Sequence, residues 1–502
     1  MSYTTATAAY FLEAASFNPK MTRSLISTQA PSAAAWSFRD PAGKLISIDG
    51  RVLRIVNPVS RQQIETILSS QVVQRFIREG KLVATKPVDF DDPNLPAEVR
   101  QQLLTDPGAS VVEHELVWFP SFPYEWAPEM LYAAGELTLN FAEALAAEDL
   151  GLKDGTPFNV LFRGPQPLFI DVLSIECRDP RDPVWLPHAQ FVRTFLLPLL
   201  VNRYYRTPID RVFVTNREGL EPEEVYLLAG WWKRLRPLFL SLVSMPTWLS
   251  AHKDSDDSIY RARRLQNVAQ ARFVLGGVLR RLRNTLKKLE PPMRSSIWSD
   301  YTQMAHYSDQ QTATKLDFVQ SAAEYVQAKK VLDIGCNTGG FSIACAKNGA
   351  DVVAVDYDAV VVGLLWRRAS VEKLRILPLV VNLAQPTPPT GWCNQECRSF
   401  LDRVRGKFDL LLMLALIHHL LVTDRVPLVE LLRLAAELTN DAVVIEFVPA
   451  DDPMFRRLLR GRDELHRDVT PESFEHACSK FFRIVRKEQL APGSRCLYLL
   501  RK

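Results

Sequence analysis

Two short runs, VLDIGCNTGG at 331–340 and ADVVAVD at 350–356, limit the fold more than any other part of the chain. The first is an apolar strand that runs into an acid and then glycines. The second is an apolar strand that ends on another acid. Gly335 and Gly339 let the backbone turn tightly and approach a ligand with no Cβ in the way. A helix expected from about Gly340 aims its first amides at that ligand. Asp356 lies twenty-three positions after Asp333. There an acid accepts hydrogen bonds from ribose hydroxyls, as in nucleotide-binding α/β folds. The glycines are spaced G-x-x-x-G rather than G-x-G-x-x-G, and an acid stands two residues before the first. That pattern favours a ligand with an amine over one with a pyrophosphate.

From Lys330 onward, strand-like runs at 329–334, 351–355, 376–381, 408–414 and 442–447 alternate with helical patterns. Alternation of this kind implies a doubly wound parallel sheet with helices on both faces. The 502 residues exceed what one core usually supports, so two or three domains are expected. The best boundary is PPMRSS at 291–296. Before it, residues 1–30 are small and polar and read as a flexible segment. Short β-rich runs with turn signals follow from Trp36 to Val56. A helical pattern covers 60–79, a strand 110–119, and a long amphipathic helix 128–150. LKDGTPFNVLF and PLFIDVLSIE read as short strands around a turn, and 184–290 as mostly helical. Residues 261–288 hold nine Lys/Arg and no Asp/Glu. Leu265, Val268, Phe273, Leu275, Val278, Leu279 and Leu282 give that stretch an apolar face. It reads as a packed helix with a solvated basic side, the alternative being a surface that docks on an acidic partner or a membrane.

Composition excludes several classes. Hydrophobic residues make up 47% and charged residues 24%, a globular balance. A formal net charge of +4 gives no reason to expect nucleic acid as a partner. The seven cysteines are scattered, and Cys393 and Cys397 lack a second pair or a nearby His, so no zinc site or other metal site is expected. The N-terminal residues lack the basic and apolar regions of a secretory signal, and no apolar run is long enough for a membrane span. The expectation is a soluble, cytoplasmic protein.

VLDIGCNTG followed by VVAVD resembles the cofactor motifs of class I S-adenosylmethionine-dependent methyltransferases. The resemblance covers about 297–502 and implies a Rossmann-like domain. It places Asp333 and the loop Gly335, Cys336, Asn337, Thr338 and Gly339 around the methionine portion of the cofactor. Asp356, with Tyr357 beside it, falls at the ribose. Asn382 and Leu383 match the region flanking the adenine, and Leu414 ends the fourth strand at the same sheet edge. Trp298-Ser-Asp-Tyr301, Tyr307, Lys315, LALIHHLL and EFVPADDPMF make the chain similar to bacterial methyltransferases related to rhizobial nodulation proteins. Methyl transfer from a sulfonium asks the protein to orient the acceptor and, where needed, remove its proton. His418 and His419, after the fourth strand, and Glu446, at the end of the fifth, are the candidate catalytic residues. Asp451-Asp452 offers two carboxylates to a metal, but a single acidic pair before a proline reads as a turn.

Upstream, Asp154 and Asn159 have the Asp-x-x-x-x-Asn spacing of a phosphoryl-transfer catalytic loop, and Asp171 ends an apolar run twelve residues later. The segment resembles the catalytic and metal loops of protein-kinase-like and aminoglycoside-phosphotransferase-like folds, which implies an α+β kinase-like domain over 31–290. Departures are plain. Leu152 replaces the usual polar residue, Val172-Leu173 follows Asp171, and no glycine-rich phosphate loop precedes them. Lys44, Arg54 and Lys86 compete for the strand cation. The leading expectation is a methyltransferase acting on a small-molecule or glycan-like acceptor, with a degenerate kinase-like module that binds substrate or regulates. The alternatives are a bifunctional kinase–methyltransferase using Mg-ATP at Asp154, Asn159 and Asp171, and a non-enzymatic scaffold.

Overall fold

The computed structural model describes residues 34–37, 40–250, 264–296, 298, 308–459, 468–491 and 494–502. The expectations for residues 1–30, Ser299–Tyr301 and Tyr307 therefore lie outside the described residues. The carboxy-terminal half is built on a seven-stranded sheet. Its order from edge to edge is Ile376–Val380, Asp351–Asp356, Lys330–Ile334, Phe408–Met413, Thr439–Phe447, Cys496–Arg501 and Arg483–Gln489. The first five strands pair in parallel, and the last two join antiparallel. Along Lys330–Ile334, Val331 enters an apolar cluster with the helices Asp309–Tyr325 and Gly340–Lys347. Its neighbour Leu332 enters the opposite cluster, which includes the helix Leu428–Leu438. A strand buried on both faces must be apolar at successive positions, and these runs are.

The amino-terminal half carries a five-stranded antiparallel sheet in the order Ala34–Ser37, Gly43–Ile48, Arg51–Val56, Ser110–His114, Thr85–Val88. The helix Pro128–Ala146, largely buried, packs against the helix Val268–Lys288 and the strands Leu150–Leu152 and Gln166–Phe169. Several sequence expectations need correction. The long helix stops at Ala146, because Asp149 turns the chain at φ 55° into the strand Leu150–Leu152. The strand expected over 110–119 ends at His114. Asp171 does not end a strand. The strand Gln166–Phe169 stops before it.

The basic helix spans Val268–Lys288, with the Asn267 side chain accepting from the Ala269 amide. Its packed face is Ala271, Leu275, Leu279, Leu282 and Leu286, and Phe273 stands outside it, exposed.

The halves share apolar packing across the 291–296 stretch. Phe119, Tyr124, Trp126 and Leu131 belong to the same buried cluster as Phe400, Phe408 and Leu411. Trp118 meets Phe408 edge-on at 5.9 Å. At the centre, the Arg403 guanidinium bonds Glu125 and donates to the Pro120 carbonyl at 2.6 Å. The Thr387 hydroxyl donates to the same Glu125 carboxylate at 2.6 Å. Arg403 also lies over the rings of Phe119, Phe122 and Phe400. Nearby, a Cβ built on Gly363 would fall 2.4 Å from the Glu129 carboxylate.

Candidate functional site

The two acids that opened the sequence reading end neighbouring parallel strands. Ile334 pairs with Val355, so Asp333 and Asp356 project at the same carboxyl edge of the sheet. The loop between Ile334 and Gly340 is tied back to that edge. Gly335 and Cys336 donate their amides to the Val355 carbonyl at 2.8 and 3.1 Å. Asn337 adopts φ 50° and donates its amide to Asp356 Oδ2 at 3.0 Å, and Asp358 donates to Oδ1 at 3.0 Å. Gly339 has φ 81°, and a Cβ there would sit 2.3 Å from a Leu365 methyl. Glycine is required at that position by conformation and by packing alike.

Asp333 is 1% exposed, and its carboxylate accepts from the Ser342 hydroxyl at 2.5 Å. Burial, followed by the charge of Asp356, pushes its carboxyl up to about 6, against the pull of Ser342. Burial also raises the Asp356 carboxyl, although backbone amides oppose it. Neither acid forms an ion pair among the described residues. A buried and a half-buried carboxylate at one edge, with no basic side chain paired to either among the described residues, make a site that gains from a cationic ligand group. Sequence reasoning missed Ser342. The signal was there, since Ser342 sits in the first turn of the helix that follows the glycine loop.

The other expected cofactor residues are spread around this edge. Cys336 and Leu414 are buried, Leu383 is half-buried, and Tyr357 and Asn382 are exposed. Asn382 caps its own turn by accepting from the Ala384 amide at 2.9 Å. Trp298 lies against the loop. Its carbonyl accepts from the Asn337 side chain at 3.0 Å, and its ring meets Tyr357 edge-on at 6.1 Å and His419 at 5.3 Å.

The three candidate catalytic residues have different surroundings. His418 is fully buried, packs near Phe455, and among the described residues has no hydrogen-bond partner on either ring nitrogen. Burial drives its imidazole down to about 3, so it is neutral at physiological pH. His419, half-buried, is the histidine beside Trp298. Burial and then Arg495 lower it below the ordinary histidine value. Glu446 has no exposed surface. Its Oε2 bonds Lys315 at 2.7 Å and accepts the Ala415 amide at 2.9 Å, while Arg495 lies 3.5 Å from Oε1. Asp452 holds the same Arg495 with two bonds, at 2.7 and 3.0 Å. Asp451 and Asp452 lie in a turn, as expected, with the Asp452 amide donating to the Pro449 carbonyl at 3.0 Å, and the Asp452 side chain adds the ion pair to Arg495.

In the amino-terminal half, Arg54 is the strand cation that meets Asp171, at 3.0 Å, and it also reaches Asp40 at 3.3 Å. Lys86 instead pairs with Glu113. Asp154 is exposed and contacts Gln190 at 3.4 Å, and the Asn159 side-chain nitrogen is buried with no acceptor among the described residues.

A model for a methyltransferase domain matches residues 304–485. The nodulation protein NoeA of Rhizobium meliloti (strain 1021) is 31% identical over 480 residues, a match covering 93% of this chain and 96% of that one. The ubiquinone biosynthesis O-methyltransferase of Erwinia tasmaniensis is 28% identical over 105 residues, or 21% of this chain and 37% of that protein. Among solved structures, WbdD is similar at 20% identity and a TM-score of 0.30, over 43% of this chain and 46% of that one, less than half its length. The N-methyltransferase NodS of Bradyrhizobium japonicum WM9 is similar at 12% identity and a TM-score of 0.29, over 39% and 97%.

Proposed function

Because the chain belongs to the class I S-adenosylmethionine-dependent methyltransferases related to rhizobial nodulation proteins, we propose that it methylates a small-molecule or glycan-like acceptor at the edge formed by Asp333 and Asp356. The buried Asp333 and half-buried Asp356 carboxylates, with no ion-pair partner among the described residues, carry this reading. When bound, S-adenosylmethionine supplies a methyl group on a sulfonium that is already a good leaving group. Asp333 would hold the ammonium of its methionine portion, and Asp356, fixed by the Asn337 and Asp358 amides, would accept from the ribose hydroxyls. The loop from Gly335 to Gly339 would give close backbone approach, with Cys336, Asn337 and Thr338 lining it. Asn382, Leu383, Tyr357 and Leu414 would border the rest.

Titration calorimetry with S-adenosylmethionine tests the reading. Asp356→Ala is expected to weaken binding about tenfold or more, the worth of a charge-assisted hydrogen bond. Absence of any binding by the unmodified protein would sink the proposal.

We assign acceptor deprotonation to His419, which is half-buried, neutral and adjacent to Trp298. Its removal in His419→Ala should lower kcat about a hundredfold or more, within the range for a lost general base. His418→Leu should leave kcat within a few-fold and stability unchanged or higher, because it removes two unbonded buried nitrogens. Equal losses in the two variants would reject this division of roles. Glu446 is read as a positioning group, since Lys315 and the Ala415 amide already engage its carboxylate.

For the amino-terminal residues we favour a kinase-like module that binds or presents the acceptor. Asp171 would be the metal-binding acid of an active kinase, yet the Arg54 guanidinium already neutralises it at 3.0 Å. A divalent cation there would sit against a fixed positive charge. Mg-ATP turnover at Asp154, Asn159 and Asp171 is therefore the less favoured reading.

A further inference from the structure

The helices Pro222–Leu228, Trp231–Arg234 and Met245–Ser250 form a unit in which apolar side chains face outward. Arg234 Nε donates to the Tyr226 and Ala229 carbonyls at 3.1 and 2.7 Å, and the Ser244 hydroxyl donates to the Arg234 carbonyl. These bonds hold the short helices together. Trp231 and Trp232 stack at 3.8 Å between ring centroids and are 61% and 69% exposed. Leu227, Leu235 and Leu249 on the same unit are also exposed. An exposed apolar group this large on a folded chain marks a contact surface.

Acids on this unit are confined to the start of its first helix, where Glu221 pairs with Arg193 and Glu223 accepts from the Ser250 hydroxyl, with Glu224 beside them. The charge of the two neighbouring runs is positive. Residues 231–250 hold three Lys/Arg and residues 268–288 hold six, with no Asp/Glu in either run. The connecting residues 251–263 carry three of each sign. A cleft of about 530 Å³ joins the two basic runs, with Leu238 and Ser241 on one wall and Arg280, Arg281, Asn284 and Lys288 on the other. Arg272 and Arg283 are taken by Asp149 and Glu143. Lys233, Arg236, Arg280, Arg281, Lys287 and Lys288 form no ion pair among the described residues.

We propose that this face docks on a lipid bilayer containing anionic phospholipid. The tryptophans and leucines would enter the interfacial layer, and the basic cleft would receive a phosphate headgroup. Trp and Leu mixed with Lys and Arg is the composition of interfacial helices, and each basic residue near an anionic surface adds to the attraction. Protein interfaces, by contrast, are depleted in Lys. The complete absence of acids from both runs fits a uniformly negative surface.

The test uses the full-length protein and sedimentation with vesicles of phosphatidylcholine alone or with phosphatidylglycerol added. Binding to the mixed vesicles only, weakening as salt rises, is the expected result. Trp231→Ser with Trp232→Ser, and separately Arg280→Glu with Arg281→Glu, should each reduce it at least tenfold. Both pairs lie outside the cofactor edge, so S-adenosylmethionine affinity should be unchanged and would report correct folding. Equal binding to neutral vesicles would overturn the proposal. So would equal binding to soluble heparin, or a shift from oligomer to monomer in the tryptophan variant as its sole effect.

Discussion

Asp333→Asn is expected to make the protein more stable while depriving it of its cofactor. The Asp333 carboxyl is raised from 3.8 to about 6, so the fold favours the protonated acid. Its stabilising contribution is fully present below about pH 4 and is lost as pH rises through 6. At pH 8 the buried, ionised carboxylate then costs about 2–3 kcal/mol relative to the unfolded chain. Asparagine keeps the shape and removes that cost. Thermal unfolding should show the variant above the unmodified protein at pH 8 and level with it near pH 4. Cofactor affinity should fall about tenfold to a hundredfold, the worth of a bond between opposite charges. In the unmodified protein, affinity should weaken as pH drops through 6. A variant that binds S-adenosylmethionine within threefold of normal would remove Asp333 from the ammonium site.

Arg403→Met should have the largest effect on folding. It leaves the Glu125 carboxylate, itself without exposed surface, deprived of its guanidinium. Removing one partner of a buried pair typically costs about 3–5 kcal/mol. The loss extends to the bond with the Pro120 carbonyl. Denaturant unfolding measures it directly. A second variant, Arg403→Met combined with Glu125→Leu, should recover most of the stability, because an apolar pair needs no charge compensation. Calorimetry on the folded single variant should still show cofactor binding, since neither residue touches the glycine loop. A destabilisation under 1 kcal/mol would mean that this ion pair is not what holds the seam.

The parts of this architecture that were legible in the sequence are those governed by neighbours in the chain. The five parallel strands are continuous apolar runs, and the loop after Ile334 is set by local glycines and acids. The strands Arg483–Gln489 and Cys496–Arg501 were not foreseen. In RIVRKEQ, charges at an edge position interrupt the apolar pattern that a buried strand displays. Contacts between distant residues were also invisible. Glu125 and Arg403 are 278 positions apart, and Arg54 and Asp171 are 117 apart. Nothing in the local pattern distinguishes Arg54 from Lys44 or Lys86. For the histidines, the sequence marks both equally, and only burial separates His418 from His419.

The buried seam also bears on how such a chain is inherited. An exchange of genetic material near 291–296 would bring Phe119, Glu125 and Glu129 together with a carboxy-terminal half that had not been shaped to them. Such a recombinant would present an apolar gap, a stranded carboxylate, and a side chain where Gly363 leaves room for Glu129. Recombination between lineages is therefore penalised at the very place where the covalent chain looks easiest to cut. The two halves are expected to descend together, a substitution on one side of the seam matched by one on the other, as a single unit of selection.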